Sequence, residues 1–176
     1  MTSNIVPPRI AFAVRQLRAR PTDRILEIGC GTGVAAGVIA ASLTSGHLTA
    51  IDRSAHAVAS ARARLARWMA AGTARVRRTA LADADFVADS FDRALAVNVN
   101  QFWIDPQAEL AVLAGAIRRN GMLCLVNQPP SPSSAERITT ECPAALREQG
   151  FDRVRLARES RGTAVLVSIS ARNARR

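Results

Sequence analysis

The sequence predicts an α/β fold in which a mostly parallel sheet carries helices on both faces. Short apolar or β-branched runs alternate with helical stretches along the chain, which is typical of successive βαβ units. A length of 176 residues, 48% of them hydrophobic, suffices for one core. No linker, repeat or low-complexity block interrupts this pattern. We therefore expect one domain over residues 1–176, with a helical segment at 1–23 near the functional site and a sheet core at 24–171.

The first half of the chain predicts three helices and three strands. Alanine-rich stretches give the second and third helices, and apolar runs give the first two strands. In the third strand arginines alternate with other residues, as along the edge of a sheet. In chain order the predicted elements are a helix from Pro8 to Ala19, a strand from Arg24 to Ile28, a helix from Val34 to Leu43, a strand from His47 to Ile51, a helix from Ala55 to Ala71 and a strand from Ala74 to Ala80.

The second half predicts four more strands and two helices. Pro106 suits the first turn of a helix, Asn120-Gly121 marks a turn, and Gly150 closes the last helix. The final two strands flank a turn at residues 160–162, so a closing hairpin supplies one antiparallel strand. The predicted elements are a strand from Arg93 to Asn98, a helix from Pro106 to Arg119, a strand from Met122 to Asn127, a helix from Ser134 to Gln149, and strands from Asp152 to Arg158 and Ala164 to Ser170.

The loop after the first strand is the most informative segment for function. The apolar run Ile25 to Ile28 breaks into glycines at positions 29, 31 and 33 before an alanine-rich helix begins. Without side chains there, a ligand can lie against backbone N–H groups at the positive end of the helix dipole. The segment is therefore predicted to cradle a nucleotide-like ligand.

Two ligand classes fit this loop. Residues 31–36 match the G-x-G-x-x-G/A pattern of dinucleotide sites, and Asp52, about 20 residues on, could hold a ribose in either class. Glu27 distinguishes them, because an acid inside the strand would repel a pyrophosphate and attract a cationic ligand. The sequence thus favours a ligand that carries a positive charge.

Residues Leu26 to Gly33 resemble the first motif of the class I S-adenosylmethionine (SAM) dependent methyltransferases, and the segment Ile51 to Ser54 resembles their second motif. The resemblance implies a doubly wound, Rossmann-like sheet of seven strands, mostly parallel with a C-terminal antiparallel strand. It implies that Glu27 lies near the methionine end of the cofactor and that Asp52 binds the ribose hydroxyls. SAM, with S-adenosylhomocysteine as product, is the expected cofactor. The expected cofactor-binding residues are Glu27, Gly29, Cys30, Gly31, Thr32, Gly33, Asp52, Arg53, Ala80, Leu81 and Asn98.

The adenine end departs from the family pattern. The family often has an acid after the third strand, where this chain has Ala80 and Leu81. We expect backbone and apolar contacts to frame the adenine instead, with Asp83 as a substitute acid.

The segment from Asn98 to Trp103 is the predicted acceptor-positioning loop. It follows the fourth strand, and ligands bind at the carboxyl ends of strands where the strand order reverses, which places this loop beside Gly29 to Gly33. Asn98 and Asn100 offer amides, and Trp103 offers a π-face for a sulfonium or a flat substrate. We predict that these three residues position the acceptor, whereas Phe102 is better explained as a core residue.

Composition removes several enzyme classes. All 24 basic residues are arginine and tyrosine is absent, so neither a Walker lysine nor a tyrosine–lysine proton donor can form. No metal site is expected, because the aspartates between residues 83 and 92 are irregularly spaced and fit a solvated loop with a short helix. The net charge of +10 leaves nucleic acid open as a partner, although an arginine bias in composition explains it too.

The predicted function is SAM-dependent methyl transfer to a small-molecule acceptor. Alternatives are an RNA or protein methyltransferase, and a non-catalytic SAM-binding or partner subunit. No apolar run reaches the length of a signal peptide or membrane span, so the sequence predicts a cytoplasmic protein without a membrane partner.

Overall fold

The computed structural model describes residues 6–162 and 164–175 as a seven-stranded sheet flanked by six helices. In chain order the elements are α1 (Pro8–Leu17), β1 (Arg24–Ile28), α2 (Val34–Ser42), β2 (His47–Asp52), α3 (Ala55–Ala70), β3 (Ala74–Arg78), β4 (Phe91–Val97), α4 (Gln101–Ile104), α5 (Gln107–Ala116), β5 (Ile117–Asn127), α6 (Pro132–Glu148), β6 (Phe151–Arg161) and β7 (Ala164–Asn173).

The strand order β3-β2-β1-β4-β5-β7-β6 confirms the predicted fold class. The strands β1 to β5 pair in parallel, and β7 is inserted antiparallel between β5 and β6. The chain runs outward from β1 to β3 and then returns to β4 on the other side of β1. The strand order therefore reverses between β1 and β4, where parallel sheets open a crevice at their carboxyl ends.

Two apolar layers cover the sheet. On one face α1, α2 and α3 pack through Phe12, Leu17, Ile39 and Leu65, all of which are buried. On the other face the buried side chains of α5 and α6 meet the opposite side of the same strands. Because β1 is covered on both faces, its residues 25–28 are all buried rather than alternately buried, as expected for a central parallel strand.

A buried ion pair joins the amino ends of the central strands to α1. The Arg93 guanidinium donates to the Asp23 carboxylate, and both residues are almost fully buried. Arg93 also donates to the carbonyl oxygen of Leu17 at 3.1 Å, and Asp23 accepts from the Arg20 N–H at 2.8 Å. The pair therefore fixes the end of α1 against β4 and the start of β1.

Several element limits differ from those predicted. β5 begins at Ile117, earlier than the predicted Met122, because the chain re-enters the sheet directly after α5 and turns at Asn120 with φ +61°. The predicted loop after β4 contains the four-residue helix α4, and β3 ends at Arg78, before Ala80. Between β3 and β4 the expected short helix is absent, since residues 79–90 form only turns and irregular chain.

The remaining limits match the prediction or differ by at most three residues, and β7 carries the sheet to Asn173, beyond the predicted residue 171. Residues 1–5 of the predicted N-terminal segment lie outside the described residues. In the part of the chain that is described, no helix combines the length and apolarity required to cross a membrane.

Replacing Asp23 with alanine should destabilise the fold by about 3–5 kcal/mol, because Arg93 would keep a buried charge without its partner. Urea titration would measure the loss. The matched control is Glu141→Gln, which removes the exposed pair between Glu141 and Arg137 on one helix and should leave the midpoint unchanged. Equal effects of the two substitutions would contradict the role given to Asp23.

Candidate active site

A cleft of about 510 Å³ opens at the carboxyl ends of β1, β2 and β4. It lies at the reversal of strand order, where the sequence places the ligand. Seven of the predicted site residues line it, namely Gly29, Asp52, Arg53, Ala80, Leu81, Asn98 and Asn100.

The glycine loop meets this cleft through Gly29, whereas Glu27 and residues 30–33 lie outside its lining. Gly29, Gly31 and Gly33 all have positive φ, between +52° and +78°, which side chains other than glycine rarely adopt. A Cβ at Gly29 would lie 2.7 Å from the Val99 side chain, which confirms the predicted contact with the loop after β4. A Cβ at Gly31 would meet nothing within 4 Å, so open space adjoins the backbone where a ligand can approach.

The Asp52 carboxylate joins the glycine loop to the loop after β2. One oxygen accepts from the Gly31 N–H at 2.9 Å, and the other accepts from the Ser54 N–H at 2.9 Å. Each oxygen retains acceptor capacity beyond these bonds. The half-buried carboxylate lies in the cleft lining and offers acceptors to a hydroxyl-bearing ligand.

The Glu27 carboxyl lies beneath the loop in an unusual environment for an acid. It is 3% exposed, and its Oε2 atom is buried without a hydrogen-bond partner among the described residues. Burial and, to a smaller extent, the nearby Asp52 carboxylate together raise the pKa of Glu27 to about 8. A cation bound beside Glu27 would supply both the missing partner and the missing positive charge.

Cys30 contributes packing to the loop and is no candidate nucleophile. Burial raises the pKa of its thiol to about 12, with Glu27 and Asp52 adding to the rise. The protonated sulfur lies 3.8 Å from the Gly31 carbonyl oxygen. Next to it, Thr32 is exposed, and its carbonyl oxygen accepts from the Arg64 guanidinium at 2.9 Å.

The end of β4 is held by Asn98. Its backbone has φ +55°, its N–H donates to the Val126 carbonyl oxygen at 2.8 Å, and its side-chain oxygen accepts from the Gln128 N–H at 2.8 Å. The predicted acceptor-positioning amide therefore also braces the loop after β5. Asn100 is exposed and lines the cleft without a recorded side-chain bond.

The two aromatic residues of this loop take different places. Phe102 is 1% exposed within the core, as expected, with its edge at the cleft. Trp103 points away from the cleft lining toward α6, because α4 turns it under the Arg137 guanidinium, 5.5 Å from the ring centre. The structure thus does not bring Trp103 together with Asn98 and Asn100 at the cleft.

Comparison with known proteins decides the family. A family model described as a methyltransferase domain matches residues 26–123, more than half of the chain. The chain belongs to the methyltransferase-domain family. This match confirms the family that the sequence predicted from Glu27, the glycine loop and Asp52, the class I SAM-dependent methyltransferases.

Relatives of the methyltransferase domain include an uncharacterised protein from Synechococcus, 33% identical over 117 residues. That match covers 66% of this chain and 28% of the relative, so the chain spans less than a third of it.

Solved structures share the fold at low identity. A geranyl diphosphate C-methyltransferase from Streptomyces coelicolor, solved with S-adenosylhomocysteine, has a TM-score of 0.76 at 12% identity, covering 94% of this chain and 78% of its own. A phosphoethanolamine N-methyltransferase from Haemonchus contortus, solved with SAM, has a TM-score of 0.76 at 12% identity, covering 98% and 55%. A Bacillus subtilis protein has a TM-score of 0.73 at 12% identity, covering 96% and 99%.

One acid of the methyltransferase cleft was not predicted from the sequence. Glu109, in the first turn of α5, lines the same cleft as Ala80 and Leu81. It places an acid in the cleft of a chain that lacks one directly after β3. Glu109 lies in a helix that is far along the sequence from the glycine loop, and no motif includes it, so nothing in the sequence indicated its place in the cleft.

Converting Glu27 to glutamine should stabilise the free methyltransferase domain by about 1–3 kcal/mol at pH 8, since an amide carries no buried charge. Between pH 4.5 and 8 the folded state keeps a proton that the unfolded chain releases, so Glu27 lowers stability as the pH rises through this window. Below pH 4.5 the gain should vanish. Thermal melts from pH 4 to 9 would measure it, and a pH-independent gain would contradict the assigned environment.

Proposed function

We propose that the chain binds SAM in the cleft at the carboxyl ends of β1, β2 and β4 and transfers its methyl group to a small-molecule acceptor. The observation that carries this proposal is the buried, unpartnered Oε2 of Glu27 beneath a glycine loop whose backbone faces open space. This arrangement fits a ligand that carries a positively charged group close to Glu27, as SAM does at its methionine end.

Each part of the cleft has a role toward such a ligand. Glu27 would pair with the ammonium of the methionine end and become ionised as it does so, because a neighbouring cation lowers the pKa of an acid. Asp52 would accept hydrogen bonds from ribose hydroxyls while the Gly31 and Ser54 N–H groups keep it oriented. SAM would supply a methyl group on a positively charged sulfur, ready for displacement.

The adenine end would lie between two segments. Thr79, Ala80 and Leu81 line one side of the cleft, and Ile104 and Glu109 line another. Leu81 is buried and Ile104 is largely exposed, so an adenine ring between them would cover apolar surface. Glu109 would offer a carboxylate to the exocyclic amine, a role that the sequence gave to Asp83.

A second cavity is the proposed acceptor pocket. It has a volume of about 460 Å³ and lies between the loop after β5, the start of α6 and the β6–β7 hairpin. Asn98 lines the cleft and Pro129 lines the pocket. The Gln128 N–H, next to Pro129 in the chain, donates to the Asn98 side-chain oxygen, so this hydrogen bond joins the linings of the two cavities. Its lining residues are Pro129, Pro130, Ser131, Pro132, Ala135, Glu136, Thr139, Arg158, Ala164 and Val165.

The chemistry of this pocket favours an acceptor with an apolar body and an anionic end. Its prolines, alanines and Val165 give apolar walls. Arg158, which donates to Thr139 at 3.4 Å, supplies a positive charge, and Glu136 supplies a negative one, so the anionic end of the proposed acceptor would lie beside Arg158. The Streptomyces coelicolor relative binds geranyl diphosphate, a molecule of this kind. No acid or base is required for an already nucleophilic acceptor, because alignment of donor and acceptor supplies much of the rate.

The cofactor proposal is tested by calorimetric titration of the protein with SAM, S-adenosylhomocysteine and NADPH side by side. We expect the first two to bind and NADPH not to bind.

Asp52→Ala should weaken SAM binding by about 1–3 kcal/mol through the loss of charge-assisted hydrogen bonds. Asp83→Ala, a matched change of an exposed aspartate outside the cleft lining, should leave SAM affinity unaltered. Unchanged affinity in Asp52→Ala would refute the ribose assignment, and binding of NADPH alone would refute the cofactor.

The acceptor proposal is tested with geranyl diphosphate as a probe, added to the protein saturated with S-adenosylhomocysteine. Ala135→Trp should fill the pocket and Arg158→Ala should remove its charge, and we expect each to weaken probe binding roughly tenfold, about 1.4 kcal/mol. Ala111→Trp, on the exposed face of α5, is the matched control. Probe binding that is absent, or equally strong in all variants, would exclude this pocket as the site for such acceptors.

A further inference from the structure

Five arginines gather at the amino-end edge of the sheet, opposite the cleft. Two adjoining depressions of about 280 and 270 Å³ lie there and share Arg153 and Arg172 in their linings. Arg93 and Arg118 also line them, but each is held in an ion pair with an aspartate. We call the other five arginines of the lining the arginine patch, which comprises Arg18, Arg20, Arg153, Arg155 and Arg172.

The patch lacks compensating acids. Within residues 6–162 and 164–175, none of its five side chains forms an ion pair. The two carboxylates in the lining are already engaged elsewhere: Asp23 pairs with Arg93, and Asp92 pairs with Arg24 and Arg118. The patch therefore presents an uncompensated positive field to solvent.

The arginines also repel one another. Burial lowers the pKa of Arg172, and the positive charges of Arg93, Arg20, Arg153 and Arg155 lower it further. Like charges held this close oppose folding, and a bound anion would relieve the repulsion. The Arg172 guanidinium itself is fixed by a hydrogen bond to the Asn120 carbonyl oxygen at 3.0 Å.

The backbone is distorted where it presents Arg153. The pairing of β6 with β7 shifts register between Asp152 and Arg155, and Arg153 has φ +49°. A bulge of this kind redirects a side chain at a cost in backbone free energy. An arginine bias in composition gives no reason for this distortion, whereas a binding role does.

We propose that the arginine patch binds the phosphate backbone of a single-stranded nucleic acid. Guanidinium groups bind phosphate oxygens through paired hydrogen bonds. One phosphate group could not contact all five arginines across the two joined depressions, so a ligand with several phosphates fits the patch better. None of the described residues in the lining is aromatic, so contacts fall on the backbone rather than on stacked bases.

The patch is separate from the proposed reaction. The patch lies at the amino ends of the strands and the cleft at their carboxyl ends. β4 connects the two ends with seven residues, a length of roughly 20 Å. A nucleic-acid strand bound at the patch would therefore leave the cleft open. The inference is independent of which acceptor the cleft takes, and SAM binding serves as a control for folding.

The test is fluorescence anisotropy with a labelled oligouridylate of about 12 nucleotides, in potassium chloride from about 50 to 300 mM. Five phosphate contacts predict that log Kd rises with log salt concentration at a slope of roughly 3.5. The triple variant Arg18→Gln, Arg153→Gln, Arg155→Gln should lower the slope by about 2 and weaken binding at least tenfold at 100 mM salt. SAM affinity should remain that of the unaltered protein.

The matched control is Arg9→Gln, Arg75→Gln, Arg77→Gln, which removes the same charge from α1 and the distant edge strand β3. We expect its affinity for the oligouridylate to change less than threefold. Equal weakening by both triple variants would overturn the proposal in favour of diffuse attraction to net charge. Absence of binding at 50 mM salt, or binding of inorganic tripolyphosphate but not of oligouridylate, would overturn it as well.

Discussion

The carboxylate of Asp52 is the interaction on which the cleft depends. It lies at the end of β2, yet its two oxygens hold the N–H of Gly31 in one loop and the N–H of Ser54 in the next. With the Cys30 N–H bonded to the Ile51 carbonyl oxygen at 3.0 Å, these contacts fix the glycine loop against the neighbouring strand. The conformation that leaves the Gly31 backbone open is held by this attachment, while the pairing of β1 with β2 and β4 places Glu27.

Glu27 lowers the stability of the free protein at the place where the proposed ligand would bind. A core position in a central parallel strand ordinarily holds an apolar side chain, and its neighbours Leu26 and Ile28 are of that kind. An acid there, with one oxygen unpartnered and Asp52 close by, destabilises the free protein. Such a residue is retained where a ligand completes its environment, which is why a local conflict with burial indicates function.

The sequence predicted what depends on local pattern. The strands, the glycine loop, Asp52, and the juxtaposition of Gly29 with the loop after β4 all follow from short motifs and one topological rule. The four-residue α4 and the place of Glu109 depend on how distant segments pack, which no local pattern encodes. Trp103 illustrates the limit, because the same residue faces the cleft or α6 according to whether residues 101–104 form a loop or a helix. The arginine patch likewise joins α1, β6 and β7, which are far apart along the chain.

The left-handed backbone at Asn98 restricts how new acceptor specificities could be engineered or evolve. Because β-branched residues are strained at φ +55°, substitutions at the end of β4 are tolerated best where the new residue is aspartate or glycine. The opposite wall of the second cavity has no such restriction, since Ala135 lies in a helix and Val165 in a strand, both with ordinary backbone. A library of variants built to test the proposed acceptor pocket should therefore keep Asn98 constant and diversify the α6 and β7 side.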